Sequence, residues 1–247
     1  MAHISSGTVL TSMWLKNQGV SPKLAWWYVH SHWLTRLGAE AYKRTGDEVS
    51  WPGAICALQT QLKLDVHVGG ITALQLLGQA HYIPVQGVNQ VTLFANPEVK
   101  FPKWLLNEDV WKVRFKIFRT ALFSKNSDTP TLVERQIGGI NLSLSSPERA
   151  ILEVLHLVPW AQPFDEALLL MEGLSQLRPQ VVQALLEQCK SIKVKRLFLH
   201  LADRFQHPYL SHLDMKKIEL GHGKRMIGKG GNYDPKYQIS VPKTVEE

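Results

Sequence analysis

Apolar positions near the start of the chain recur at helical spacing. Val9, Leu10, Met13, Trp14 and Leu15 predict a helix from Thr8 to Gln18. Gly19-Val20-Ser21-Pro22 interrupts it and starts a second helix. Gly19 suits the position just past a helix, Ser21 is a good N-cap, and Pro22 at the first helical position gives up an N–H that would have no partner there. The second helix is expected over Pro22–Ser31, with Leu24, Tyr28 and Ser31 turned to the core. Two helices joined by a short glycine-containing turn form a helix-turn-helix. Trp33–Leu37 and Ala41–Arg44 then flank the turn Gly38-Ala39-Glu40, a hairpin where a wing would lie.

Further on, Trp51, Ile55, Leu58 and Leu62 mark the buried stripe of another helix. Val66–Val68 reads as a short strand, Thr72–Gln79 as a helix, and His81–Pro84 with Gln90–Phe94 as a strand pair. The stretch 96–102 has the composition of a linker, which places a domain boundary between residues 95 and 96. Beyond it, Lys112–Ile117 alternates cleanly, and Gly138-Gly139 separates strands at Thr131–Ile137 and Ile140–Leu144. Ser146-Pro147-Glu148 opens a helix to Leu155. Helices are expected at Asp165–Leu174, Pro179–Cys189 and Ser191–Arg204, and a last strand at Tyr237–Val241. The pattern predicts an α+β chain. Residues 1–95 form a winged helix-turn-helix domain, and residues 96–247 a mixed α/β domain.

Charge changes this picture through its distribution. The 247 residues carry a formal charge of +7. Residues 1–100 hold seven basic and five acidic side chains, whereas residues 190–236 hold eleven basic and four acidic ones. A basic segment of that kind suits a polyanion, because each neutralised phosphate releases counterions. No run of apolar residues reaches membrane-spanning length, and the start has neither a basic nor an apolar leader region, so the cytoplasm is the expected compartment. Cys56 and Cys189 are too few and too far apart for a disulfide framework or a zinc site. The histidine pairs His30/His32 and His207/His212 lack the spacing of metal ligands, so neither metal nor cofactor is expected. The chain has no nucleophile elbow, no zinc-protease helix and no paired-aspartate nucleotidyltransferase motif, and an enzyme is not expected.

The candidate chemistry is nucleic-acid contact. On the second helix Ser21, Lys23, Trp26, Trp27 and His30 would meet phosphates, base edges and thymine methyls, with Arg36, Lys43 and Arg44 of the wing on neighbouring phosphates. In the basic segment Lys193, Lys195, Arg196, Lys216, Lys217, Lys224, Arg225 and Lys229 are the candidates. Gly221-His222-Gly223-Lys224-Arg225 has the flavour of a phosphate loop, but Arg225 stands where a P-loop carries Ser or Thr. Two other readings stay open: an RNA-binding or RNA-modifying protein that grips through the basic segment, and a winged protein-interaction module.

The chain also resembles the AbiEi antitoxins of type IV toxin–antitoxin systems. The likeness rests on Thr11-Ser12-Met13-Trp14-Leu15, Trp51-Pro52-Gly53-Ala54, His67-Val68-Gly69-Gly70 and Pro102-Lys103-Trp104-Leu105. It continues through Ser145-Ser146-Pro147-Glu148-Arg149-Ala150, Leu220-Gly221-His222-Gly223-Lys224-Arg225 and Tyr237-Gln238-Ile239-Ser240-Val241-Pro242. The resemblance implies an autorepressor that binds inverted repeats in its promoter as a pair of monomers or a weak homodimer. It also implies an antitoxin that counteracts a nucleotidyltransferase-like toxin without a stable complex. Family members usually carry one more helix ahead of Gly7-Thr8-Val9, so the winged domain is expected to lack its first helix. His32 and Glu40 stand where glycine is expected, and Glu40 at the wing tip would repel phosphate.

Overall fold

The computed structural model describes residues 6–80, 89–124, 130–228 and 230–243. The chain divides into two compact units, each assembled from three stretches of sequence: 1–68, 85–120 and 134–144 in the first, and 69–84, 121–133 and 145–247 in the second.

The first unit begins with a winged helix. Its elements are β1 (Leu10–Thr11), α1 (Ser12–Asn17), α2 (Pro22–His30), β2 (Leu34–Gly38) and β3 (Ala41–Arg44), with the strands in the order β1-β3-β2. The helix expected from Thr8 thus starts four residues late. Leu10 and Thr11 pair antiparallel with Tyr42 and Ala41 of β3, and the Thr11 hydroxyl caps the helix at Trp14 N, 3.1 Å away. Leu10, Leu15, Ala25 and Leu34 form the core of this module, with Trp14, Val20, Tyr28, Val29 and Tyr42 packed on it. Burial of each leucine there contributes about 1.5–3 kcal/mol. The face of α2 that meets the core is therefore Ala25, Tyr28 and Val29. Leu24, expected inside, is 36% exposed, and Ser31 is the C-cap.

Both helices of the module end in the same way. Val20 N bonds Leu15 O and Gly19 N bonds Lys16 O after α1; Trp33 N bonds Tyr28 O and His32 N bonds Val29 O after α2. This paired pattern requires a left-handed residue just past the helix. Gly19 fills it at φ +80°, but His32 fills it at φ +59°, and Glu40 takes φ +63° in the wing turn. Both positions where the resemblance implies glycine thus have left-handed backbone. Replacing His32 and Glu40 together by glycine should stabilise the chain by about 1 kcal/mol, roughly 2–4 °C in a thermal melt. A melt unchanged or lowered would contradict this.

After the wing, α3 (Trp51–Cys56) runs into a π-helical turn, Ala57–Gln61. This segment packs on β1: Gln61 donates to Val9 O at 2.6 Å and accepts from Thr11 N at 2.9 Å. Leu10 and Leu15 are buried, at 0% and 2% exposed. The unit also holds the short helix α5 (Glu108–Trp111) and the strands β4 (Val66–Val68), β5 (Gln90–Ala95), β6 (Arg114–Arg119), β7 (Leu132–Ile137) and β8 (Ile140–Ser145), in sheet order β6-β5-β4-β8-β7. β5 runs antiparallel to β4 and parallel to β6; the expected partner strand at His81–Pro84 lies outside the described residues. The Gln59 amide clamps α3 to the sheet, donating to Val66 O and Ser143 O and accepting from Ser143 N, at 3.0–3.1 Å.

In the second unit α4 (Gly70–Leu76) packs on α6 (Pro147–Leu157), whose Ser146 cap accepts from Arg149 N at 3.4 Å. Then come α7 (Phe164–Gly173), α8 (Pro179–Gln188) and α9 (Ile192–Arg204), close to the expected ranges. A small sheet ends the unit. β11 (Ile239–Val241) lies between β10 (Asn232–Asp234), antiparallel, and β9 (Arg225–Met226), parallel. Among the described residues no helix is long and apolar enough to cross a membrane.

Candidate nucleic-acid interface

Helix α2 is presented outward by its cap and its neighbours. The Ser21 hydroxyl accepts from Leu24 N at 3.2 Å and Pro22 sets the first turn, so the helix start is fixed while its outer side stays open. Lys23 and His30 are exposed there; Trp26 and Trp27 are 58% and 52% exposed, and Trp33 just beyond is 64% exposed. Burying no more of these indoles is costly in water, so a surface of this kind is normally a contact surface. The Trp26 and His30 rings lie against each other with centroids 3.6 Å apart, and His30 Nδ1 sits 2.9 Å from Trp26 O. That bond fixes the imidazole and turns Nε2 outward as the remaining polar atom. Lys23 in the first turn reinforces the positive end of the helix dipole.

The wing is less open. Arg36 is exposed and donates from Nε to Gly38 O at 3.2 Å. Lys43 is half-buried, its Nζ donating to Asp47 O at 2.9 Å, and Arg44 is half-buried and engaged. The hairpin end is braced from behind: a Cβ on Gly38 would come within 2.9 Å of Trp104 Cβ. Glu40 lies exposed in the turn.

In the basic segment the structure separates residues that the charge count had grouped. Lys193 donates to His156 O at 2.9 Å and to Val158 O, and burial pulls its pKa below the usual lysine range. Lys195 is 3% exposed with Nζ on Glu219 O at 3.0 Å. Arg196 is 2% exposed and gives all its bonds to carbonyls: Leu220 O, Gly221 O, Gly223 O and Gln238 O. These three are corrected from candidate contacts to internal braces, because their cations face backbone oxygens inside the unit. Lys216, Lys217 and Lys224 are exposed, and Arg225 is half-exposed with Nη1 on His222 O and Lys224 O. Lys229 lies outside the described residues.

One pair escaped the sequence reading altogether. His200 Nδ1 lies 2.6 Å from Asp234 Oδ2, in a cleft of about 220 Å³ also lined by Arg204, Asn232, Tyr233 and Pro242. Burial alone would raise the Asp234 pKa; bonds from His200 and from the Tyr237 and Lys236 N–H groups hold it below the usual carboxylate range. Nothing in the sequence signals a pair thirty-four residues apart. Among the described residues no group of three or more His, Cys, Asp or Glu is placed to hold a metal. His207 is buried with Nε2 2.7 Å from Met171 O.

Comparison with known families decides the lineage. One family model, described as the AbiEi antitoxin N-terminal domain of a transcriptional regulator, matches residues 1–85. A second, described as a transcriptional regulator and AbiEi antitoxin of a type IV TA system, matches residues 88–242. The chain belongs to the AbiEi antitoxin family. As an AbiEi-family chain it is a transcriptional-regulator antitoxin of the type IV class. The solved RV2827C protein from Mycobacterium tuberculosis shares its fold, with a TM-score of 0.61 at 16% identity over 94% of this chain and 85% of that one. No curated relative matches the sequence. The AbiEi-like run Ser146-Pro147-Glu148-Arg149 is structural here. Ser146 caps α6, Glu148 accepts from Arg178 Nε and Nη2 at 2.8 and 2.9 Å, and Arg149 pairs with Glu153 at 2.9 Å.

Proposed function

We propose that this chain represses its own operon by binding inverted repeats in the promoter, and that it counteracts a nucleotidyltransferase-like toxin without forming a stable complex with it. The observation that carries the DNA reading is the outer side of α2. It is a helix with its start held by a cap, its core side closed by Ala25, Tyr28 and Val29, and its free side lined by Lys23, Trp26, Trp27 and His30. In the major groove Lys23 meets a phosphate or a guanine edge and His30 a phosphate, while the indoles cover sugars and thymine methyls. Arg36 reaches the flanking backbone, Lys43 and Arg44 support it, and Glu40 limits how near the wing tip comes. The mechanism is positioning, not catalysis. An inverted repeat calls for two copies, as a weak dimer or as two monomers. Lys216, Lys217, Lys224 and Arg225 of the second unit add sequence-independent affinity.

A gel-shift titration on the promoter region against random duplex of equal length tests this. Lys23→Ala should weaken promoter binding by about 1–2 kcal/mol, roughly 5–30-fold, and flatten its salt dependence. No preference for the promoter at matched salt would sink the repressor reading. The exposure of Trp26, Trp27 and Trp33 supports one competing reading, a protein partner on the same face. Under it Trp26→Ala abolishes the contact while Lys23→Ala and Arg36→Ala leave it intact.

A further inference from the structure

We propose that residues 99–119 of the first unit form a second DNA-contacting surface, which holds the sugar-phosphate backbone of a duplex through Lys103 beside the wing and through Arg114 and Lys116 on β6. The inference rests on the DNA-binding reading of the winged module for its partner, and on a separate set of residues for its evidence.

It begins where composition predicts a linker, in the stretch 96–102. The structure pins that stretch. Arg119 at the end of β6 donates from Nε to Val99 O at 3.1 Å, and its guanidinium carbon lies 5.3 Å from the centre of the Phe101 ring. Trp104 and Trp111 are 4% and 3% exposed and pack edge to face with centroids 5.8 Å apart, while Trp111 Nε1 donates to Trp104 O at 3.3 Å. These contacts clasp the 3-10 turn Lys103–Leu106 to α5, which leads into β6. Residues 99–119 are therefore one folded piece, closed on itself. Trp104 is also the residue that Gly38 of the wing hairpin meets, with room for no Cβ between them. Lys103 follows directly from that contact. Its Cα lies about 3.8 Å from that of Trp104, which sets it beside the hairpin, and its side chain is exposed.

Charge singles the piece out. It holds Lys100, Lys103, Lys112, Arg114, Lys116 and Arg119 against Glu108 and Asp109, a net of +4 over 21 residues. The segment 190–236 has a net of +7 over 47 residues, a lower density, and Lys193, Lys195 and Arg196 within it face carbonyls. In 99–119 all six cations are exposed. Arg114 and Lys116 lie on one face of β6, in register with Gln90 and Thr92 of β5 and about 6.6 Å apart along the strand. β6 is an edge strand, and cations there also guard against pairing with another strand. Lys100 and Lys103 lie on no strand, so that guard does not account for them. A polyanion does. Each phosphate neutralised releases counterions, and a pinned backbone has little ordering entropy left to lose when it binds. The wing is poor in such contacts, since Glu40 lies in its turn and Lys43 is half-buried on Asp47 O. The piece braced against the wing supplies the phosphate contacts that the wing tip lacks.

The test is a fluorescence-anisotropy titration of the full chain on labelled promoter duplex and on random duplex of equal length, repeated over a series of salt concentrations. Lys103→Ala and Lys116→Ala should each weaken binding to both duplexes by about 3–10-fold at 0.1 M salt, and each should lower the salt slope by about 0.9. The ratio of promoter to random affinity and the thermal melt should stay as in wild type, because a phosphate contact carries no sequence. Lys103→Arg and Lys116→Arg should restore binding. Lys243→Ala, an equal loss of charge at an exposed residue of the second unit, serves as the control. If both alanine variants bind as the control does while Lys23→Ala weakens promoter binding, the surface is overturned and the repressor reading stands. If wild type shows no promoter preference yet both variants still weaken binding, the repressor reading falls and the surface stands. Wild-type binding to neither duplex would overturn both. Tighter, lysine-dependent binding to single-stranded RNA of equal length would overturn the assignment to duplex DNA.

Discussion

Glu153→Ala should destabilise the chain by about 3–5 kcal/mol, lowering its melting temperature by roughly 10 °C. Glu153 on α6 is fully buried, and both carboxylate oxygens are in use. Oε2 accepts from Gly70 N at 3.0 Å and from the Ser145 hydroxyl at 2.7 Å; Oε1 accepts from Arg149 Nε at 2.9 Å. Alanine there leaves the first N–H of α4 and the Ser145 hydroxyl without an acceptor. It also takes the carboxylate from Arg149 Nε, whose Nη1 keeps its bond to Thr131 Oγ1 at 3.0 Å, and an unmet buried donor costs more than the bond contributed. Glu153→Gln keeps the shape but turns an NH₂ toward donors, so its loss should fall between wild type and alanine. Urea denaturation measures both. A Glu153→Ala loss under about 1 kcal/mol would show that the carboxylate does not hold α4 and α6 together.

The second large effect is expected at Arg196→Met. Methionine matches the length of the aliphatic stem and supplies no donor, so the carbonyls of Leu220, Gly221 and Gly223 lose the guanidinium at once and Gln238 O is left with the bond from Arg225 N alone. The expected loss is again about 3–5 kcal/mol, partly offset because a buried cation is removed as well. A local signature separates this from general loosening. Arg225 N bonds Gln238 O at 3.0 Å across β9 and β11, and its hydrogen exchange should quicken more than that of the α6 amides. A wild-type melt with unchanged exchange at Arg225 would contradict the bracing role.

What the sequence discloses and what it hides follow from the range of the interactions. Caps are local. Ser21, Pro22, Ser146 and Pro147 act on backbone groups within a turn of themselves, and α2 and α6 begin where they predict. The left-handed positions at His32 and Glu40 were marked by the family resemblance, which leads to an expectation of glycine at both, and not by the residues that stand there. Thr8–Thr11 misleads because its extended form is enforced by Ala41 and Tyr42 of β3, some thirty residues away. On α2 the apolar residues lie nearly all round, so spacing alone does not say whether Leu24 or Ala25 turns inward; a partner surface decides. The basic segment shows the same limit in charge. Lys195 and Arg196 add to the count like any surface cation, yet each faces carbonyls delivered by a loop more than twenty residues later. Sign is legible in sequence, but direction is not. Of the candidate site, the caps placed α2 and the exposure of Lys23, Trp26, Trp27 and His30 agrees with the expected outer side, whereas the inner side was legible only in part and the His200–Asp234 pair not at all.

The threading of the first unit has a consequence for synthesis. Leu10 to Arg44 contains all the elements of the winged module, whereas the sheet beside it needs strands from Val66 to Ser145. At about 5–20 residues per second a ribosome delivers the first set within a few seconds, and completes the second only several seconds later. During that interval β4 has emerged with neither β5 nor β8 to pair with, and Val66 and Val68 are uncovered. The part of the protein that would read DNA can thus be formed on the nascent chain before the part that completes its unit exists.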